Sequence, residues 1–277
     1  GLQKVNFKYN IRGWLTEINE IANLSIGSDP QDLFAFKINY NTVQDQLPGY
    51  TGISLFNGNI SETYWKCVSD NKIRKYGYKY DNLNRLKDAV YMQATPVNTV
   101  LGNYNESLTY DKNGNITTLY RTGGHENPMP TDIDALTYGY EADSNKLTKV
   151  DDATNITTGF NNLVSTTTEY TYDAFGNMIK DDNKGISSIT YNHLNLPKKV
   201  VLPLGNITYL YNALGQKLSK VVIVTTPIST TTTDYLDGFQ YTNNTLDYFP
   251  HTEGYVATGN KYVFQYKDHL GNVRISF

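Results

Sequence analysis

Cysteine is nearly absent from this 277-residue chain: Cys67 stands alone, so neither an internal disulfide framework nor a cysteine-based metal cluster can form. Charge is also scarce. Charged residues make up 18% of the sequence and the formal net charge is −3, which argues against a nucleic-acid binder with its basic face or stripe. No apolar run approaches the roughly 18–20 residues that a membrane-spanning helix needs. No basic, apolar and small-residue leader opens the chain, and Gly1 in place of Met suggests a part of something longer. What fills the sequence is Tyr (24) and Asn (31), together nearly a fifth of it.

That composition points away from helix. Tyr, Thr, Val and Ile suit a pleated surface, while Asn, Asp and Gly favour turns. Short period-two runs are frequent, as in Ser107–Tyr110, Ser188–Tyr191 and Val263–Tyr266, and they end in turn residues. The best helical candidate is 15–24, where Leu15, Ile18, Ile21 and Ala22 approximate a helical stripe. It starts close after Gly13 and carries Asn19 and Asn23, so strand and turn are favoured there too.

One frame recurs along the chain: Asp or Asn, two free positions, then Gly or Asn. It reads Asn10 to Gly13, Asp81 to Asn84, Asp111 to Gly114, Asp173 to Gly176, Asn192 to Asn195, Asn212 to Gly215 and Asp268 to Gly271. A tyrosine immediately precedes the first six frames: Tyr9, Tyr80, Tyr110, Tyr172, Tyr191 and Tyr211. In the seventh, Lys267 intervenes after Tyr266. Composition predicts roughly one such Tyr-led frame by chance, so six mark a genuine repeat.

The physical chemistry of the frame is that of a hairpin. Its first side chain accepts a hydrogen bond from the backbone two residues on, and its fourth residue enters the left-handed region. Glycine enters that region freely and Asn tolerates it, so positive φ is expected at Gly13, Gly114, Gly176, Gly215 and Gly271 and at Asn84 and Asn195. The Asp and Asn residues are thus read as turn formers. Tyr172, Tyr191 and Tyr211 lie 19 and 20 residues apart, the length of two strands and two turns. Tyr80, Tyr110 and Tyr140 lie 30 apart, leaving room for longer connections; Tyr140 leads a degenerate unit. A lone hairpin cannot bury its apolar face, so consecutive hairpins must pair edge to edge. The expectation is an all-β chain of about 14–20 mostly antiparallel strands in one continuous curled sheet, with the repeat tyrosines on one face.

Catalytic chemistry finds little support. His193 and His269 occupy the same free position of the frame and read as exposed turn residues; His125 lies in a Gly- and Pro-rich stretch and His251 follows Pro250. No His-x-x-x-His or His-Glu pattern suggests a metal, and none is expected, nor any cofactor. The acidic pairs Asp151-Asp152 and Asp181-Asp182 would point to opposite faces of a strand. Cys67 reads as a buried thiol with no base partner. Seven Asn-x-Ser/Thr triplets, at Asn23, Asn59, Asn105, Asn115, Asn155, Asn206 and Asn243, follow from composition. The Thr-rich run at 225–233 reads as an exposed loop or edge.

Tyr172-Asp173-Ala174-Phe175-Gly176-Asn177 and Tyr110-Asp111-Lys112-Asn113-Gly114-Asn115 resemble the YD repeat of RHS-family proteins. The ending Asp268-His269-Leu270-Gly271-Asn272-Val273-Arg274 resembles the box that opens the RHS-associated core, and the stretch Tyr40 to Trp65 resembles versions common in the Bacteroidota. The resemblance covers residues 7 to 277. It implies a spiral β-sheet forming part of a hollow cocoon, one segment spanning 1–277, in a secreted or cell-surface protein. The implied function is a non-enzymatic shell that encapsulates or presents a C-terminal toxin. The implied partners are that cargo, further shell repeats and export machinery, with no nucleic acid and no membrane span. The alternative is a cell-surface adhesion scaffold without a toxin, as in teneurins. The chain shows no assignable self-cleavage carboxylates, so neither cleavage nor a toxin is assigned to it.

Overall fold

A computed structural model describes residues 4–25, 27, 29–44, 52–94, 102–124, 129–154, 156–164 and 166–277. His125 and Asn155 lie outside the described residues. Every regular element is a strand, and neighbours in sequence are neighbours in space. The first sheet is a ten-stranded meander: β1 (Phe7–Tyr9), β2 (Leu15–Ile18), β3 (Phe34–Asn39), β4 (Glu62–Cys67), β5 (Ile73–Tyr80), β6 (Leu86–Gln93), β7 (Glu106–Tyr110), β8 (Ile116–Gly123), β9 (Thr131–Tyr140) and β10 (Leu147–Asp152). A two-stranded sheet follows, β11 (Tyr170–Tyr172) and β12 (Met178–Asp181). The third is again a ten-stranded meander: β13 (Ser188–Tyr191), β14 (Pro197–Leu202), β15 (Gly205–Tyr211), β16 (Lys217–Thr225), β17 (Ile228–Leu236), β18 (Phe239–Thr242), β19 (Thr245–His251), β20 (Gly254–Ala257), β21 (Lys261–Lys267) and β22 (Val273–Ser276).

The all-β antiparallel hairpin fold is therefore as the repeat implied, and the helical pattern at 15–24 resolves into β2 followed by turns. Two details differ. The described residues hold 22 strands, above the expected 14–20, because two-residue turns such as Asp237-Gly238 and Asn243-Asn244 on either side of β18 leave more of the chain to strands. The sheet is also not continuous: it is interrupted on both sides of the β11–β12 hairpin. There buried carboxylates accept from backbone amides. Glu169 Oε2 accepts from the Val150 amide at 3.1 Å, and Asp181 Oδ1 accepts from the Lys184 amide at 3.0 Å. Backbone bonds still carry the pairing across: Glu169 N–H to Thr148 O on the first side, and on the second a bridge in which Asp181 and Ile186 exchange two bonds. The Thr-rich run is not a loop: Thr225 ends β16, and Ser229 to Thr233 lie in β17, paired along their length with β16.

The chain packs as two compact units, Gly1–Thr137 with Asp152–Phe160 and Tyr266–Ile275, and Tyr138–Asp151 with Asn161–Gln265 and Ser276–Phe277. In the first, β3 is buried on both faces. Phe34, Phe36 and Ile38 pack with Ile18, against which Trp65, Cys67 and Ile275 lie. On the other face Asn39, Glu62, Tyr64 and Lys75 form a buried polar cluster. The second unit is built differently. Of its described hydrophobic residues only Val150, Tyr170 and Val256 are fully buried, while Leu204, Leu210, Ile228 and Leu236 stay largely exposed. A ten-stranded sheet with so little interior leaves apolar surface on its faces.

Candidate functional site

Each of the seven frames closes as the same five-residue loop. The first residue's amide donates to the carbonyl four residues on, and the fourth residue's amide donates back to the first residue's carbonyl. In these frames the first side chain accepts from two amides: Asn10 Oδ1 from Arg12 and Trp14, Asp81 Oδ1 from Leu83 and Arg85, Asp173 Oδ1 from Phe175 and Asn177. Asn192, Asn212 and Asp268 repeat the pattern, and Asp111 Oδ1 accepts from Asn115 at 2.8 Å. The fourth residue has positive φ in every frame, from 57° at Asn195 to 92° at Gly114.

Aspartate and asparagine frames differ by their fifth residue. In the four Asp frames the second carboxylate oxygen is claimed there: by Arg85 Nε at 2.6 Å, Asn115 Nδ2 at 2.8 Å, Asn177 Nδ2 at 3.0 Å and Asn272 Nδ2 at 3.1 Å. The Asn frames carry Trp14, Leu196 and Gln216 at that place, none a donor to a carboxylate in this structure; Asn212 instead donates to Gln216. Hydrogen bonding lowers the carboxyl pKa of Asp81, through Arg85 first, and of Asp111 and Asp173, through Asn115 and Asn177 first. At Asp268 burial opposes the shift, yet the bonds from Asn272, Leu270 and Arg274 still bring it below the usual value.

The repeat tyrosines sit at register shifts. Tyr9, Tyr80, Tyr110, Tyr172, Tyr191 and Tyr211 each end a strand at a bulge. Their hydroxyls bond back along the meander: Tyr80 to Ile60 O at 3.0 Å, Tyr110 to Leu86 O at 2.6 Å, Tyr172 to Leu147 O at 2.8 Å and Tyr191 to Met178 O at 2.5 Å. Tyr40, which leads no frame, does the same to Leu15 O at 3.0 Å. Burial raises the phenol pKa of each, to about 12 at Tyr80. Tyr9 is 60% exposed and Tyr211 is half-buried, while Tyr266 belongs to β21. Neighbouring loops also touch, Asn57 Nδ2 reaching Asn84 Oδ1 at 2.6 Å and Asn177 Nδ2 reaching Asn195 Oδ1 at 3.0 Å.

Sequence reasoning missed an aromatic concave feature. Within the first unit a cavity of about 740 Å³ is lined by Trp65, Tyr76, Tyr78, Tyr91 and Tyr104, with Asp70, Arg74, His269 and Arg274 at its polar places. Trp65 stacks on Tyr76 with centroids 5.7 Å apart, and Tyr76 on Tyr78 at 6.0 Å. Tyr91 meets Tyr76 edge-on and Tyr104 at 86°. The rings are pinned by their hydroxyls, Tyr76 to Tyr104 O at 2.8 Å and Tyr78 to Thr63 Oγ1 at 3.0 Å. His269 is not an exposed turn residue: it stacks on Phe36 at 5.4 Å, and burial above all lowers its pKa. His193, at the same frame position, is exposed as expected. Alternating aromatics at 76 and 78 were the available signal; the convergence of distant Tyr91, Tyr104 and His269 was not written locally. The described residues contain no group of three metal-ligating side chains.

No family model and no curated protein matches this sequence. Solved structures do. The crystal structure of TcdB2-TccC3-TEV matches over 98% of this chain with a TM-score of 0.57 and 11% identity. The crystal structure of TcdB2-TccC3-Cdc42 matches over 98% with a TM-score of 0.56 and 12% identity. The fold is thus that of a segment of the TcdB2-TccC3 chains. This chain spans 15% of the length of each.

Proposed function

We propose that these residues form a wall segment of a YD-repeat shell of the RHS type, part of a secreted or cell-surface bacterial protein that encloses or presents another polypeptide. The observation that carries this reading is the second unit. It contains a ten-stranded meander, β13 to β22, in which Val256 alone among the described hydrophobic residues is buried, so its apolar faces require cover. The likeness in fold to the TcdB2-TccC3 chains supports it. So does the consumption of the repeated Asp and Asn side chains by turns. The role is spatial and non-enzymatic.

The test uses the complete natural polypeptide that carries these residues. Limited proteolysis followed by mass spectrometry should leave the repeats and one further segment resistant together, and Tyr110→Ala with Tyr191→Ala should expose that segment. A natural polypeptide whose remaining segments are cleaved at the rate of free peptides would sink the enclosing role. Turnover by the purified 277-residue chain in a hydrolase screen would sink the non-enzymatic one.

A further inference from the structure

The cavity of the first unit carries chemistry that a wall does not need. Its volume, about 740 Å³, falls inside the range of about 300–1,000 Å³ typical of small-molecule sites. Its rings present faces in more than one plane, since Trp65, Tyr76 and Tyr78 are near-parallel while Tyr91 and Tyr104 stand edge-on. We propose that this cavity binds a short neutral saccharide, stacked on Trp65 and Tyr76 and hydrogen-bonded by the Asp70–Arg74 pair and His269.

Charge decides against ionic ligands. Arg74 lies 2.5 Å from Asp70, Arg274 lies 2.7 Å from Asp268, and Lys72 also acts on the Asp70 charge, so the cations of the lining are already engaged by carboxylates. A quaternary ammonium would suit the rings but would face Lys72, Arg74 and Arg274 in the same lining. An extended peptide could not add to the sheet here, because β4, β5 and β6 are paired on both edges. What remains is a ligand with apolar C–H faces and many neutral hydroxyls. Compensated ion pairs offer it donors and acceptors side by side. His269 lines the same cavity, its ring stacked on Phe36 and its Nδ1 buried without a hydrogen-bond partner behind that wall. With its pKa lowered by burial, the ring presents one donor and one acceptor at neutral pH.

This inference stands apart from the shell reading, and either can fail alone. Isothermal titration of the intact 277-residue chain with cellobiose, maltotriose and tri-N-acetylchitotriose, each up to about 10 mM, should give saturable binding of at least one at about 1 mM or tighter. Tyr76→Ala and His269→Ala should each weaken it about tenfold or more. Tyr76→Phe, which keeps the ring, should retain it, and Leu214→Ala in the second unit should leave it unchanged. Matching far-UV circular dichroism separates lost binding from lost fold; if Tyr76→Ala unfolds, the comparison of His269→Ala with Tyr76→Phe decides. Absence of saturable heat with all three sugars overturns the proposal. So does binding of phosphocholine or phthalate in their place, or sugar binding indifferent to His269.

Discussion

Tyr110 donates its phenolic hydrogen to the backbone carbonyl of Leu86 at 2.6 Å, across 24 residues of sequence. Leu86 is also the residue opposite Tyr80 at the bulge that ends β5. Two returning strands therefore begin at a residue that faces one repeat tyrosine and is capped by the next: Leu86 between Tyr80 and Tyr110, and Met178 between Tyr172 and Tyr191. The bulge disturbs the ladder, and the following tyrosine supplies a donor at that place.

Tyr110→Phe should lower stability by about 1 kcal/mol, the net worth of one hydrogen bond, in urea melts followed by fluorescence. Tyr110→Ala should cost more, yet less than the about 3–5 kcal/mol of a fully buried aromatic, because the ring is half-buried. Equal stability of the Phe variant and the parent would show that the hydroxyl is a passenger.

The aspartate frames should make stability fall in acid. Their folded pKa values lie below the ordinary value of about 3.9, so their contribution is complete above that value and is lost as pH falls through the lowered one. Thermal melts from pH 5 downward should show the loss, and Asp111→Asn and Asp173→Asn should flatten it. Tyrosines act at the other end. The stability held by Tyr80 is complete below about 10 and should be lost as pH rises through about 12. A melt independent of pH below 5 would contradict the frame's electrostatics.

The repeat was legible because its causes are local. A turn acceptor, a left-handed fourth residue and a preceding tyrosine all fall within five positions, and Asn84 and Asn195 show the φ that their glycine counterparts have. The choice between Asp and Asn was not read there: it follows the fifth residue, and that shows only in the contact of Asn115 or Arg85 with the carboxylate. The aromatic cavity was not, because it gathers Trp65, Tyr91, Tyr104 and His269 from separate strands and loops. Nor was the break around β11 and β12, where the side chain of Glu169 takes the Val150 amide.

Glycines of two kinds should respond differently to substitution. At Gly176, φ is +85° and a Cβ would meet nothing within 4 Å, so Gly176→Asn should be nearly neutral and Gly176→Ala should cost about 1–2 kcal/mol. At Gly205 an added Cβ would collide with the carbonyl oxygen of Ile223 on the partner strand. Gly205→Ala should therefore shift the β15–β16 pairing and lower the melting temperature more than Gly176→Ala does. The reverse order in differential scanning calorimetry would contradict the close approach.

The buried pair Glu62–Lys75 offers the sharpest separation of cost from benefit. Both side chains are inaccessible to solvent and 3.4 Å apart. Glu62 Oε2 accepts from Asn39 Nδ2 at 2.8 Å, the Gln44 amide at 3.0 Å and Tyr64 Oη at 3.0 Å, while Lys75 donates to Gln44 O at 2.6 Å and lies over the Tyr64 ring. Desolvating two charges offsets most of their attraction, so the pair contributes little net stability, whereas breaking it leaves one charge buried without its counter-charge. Lys75→Met alone should cost about 3–5 kcal/mol. Glu62→Gln with Lys75→Met should recover a large part of that loss, since glutamine keeps acceptors for the Asn39 and Gln44 donors and no charge remains. A double variant as unstable as the sum of its single variants would show that the two side chains act independently.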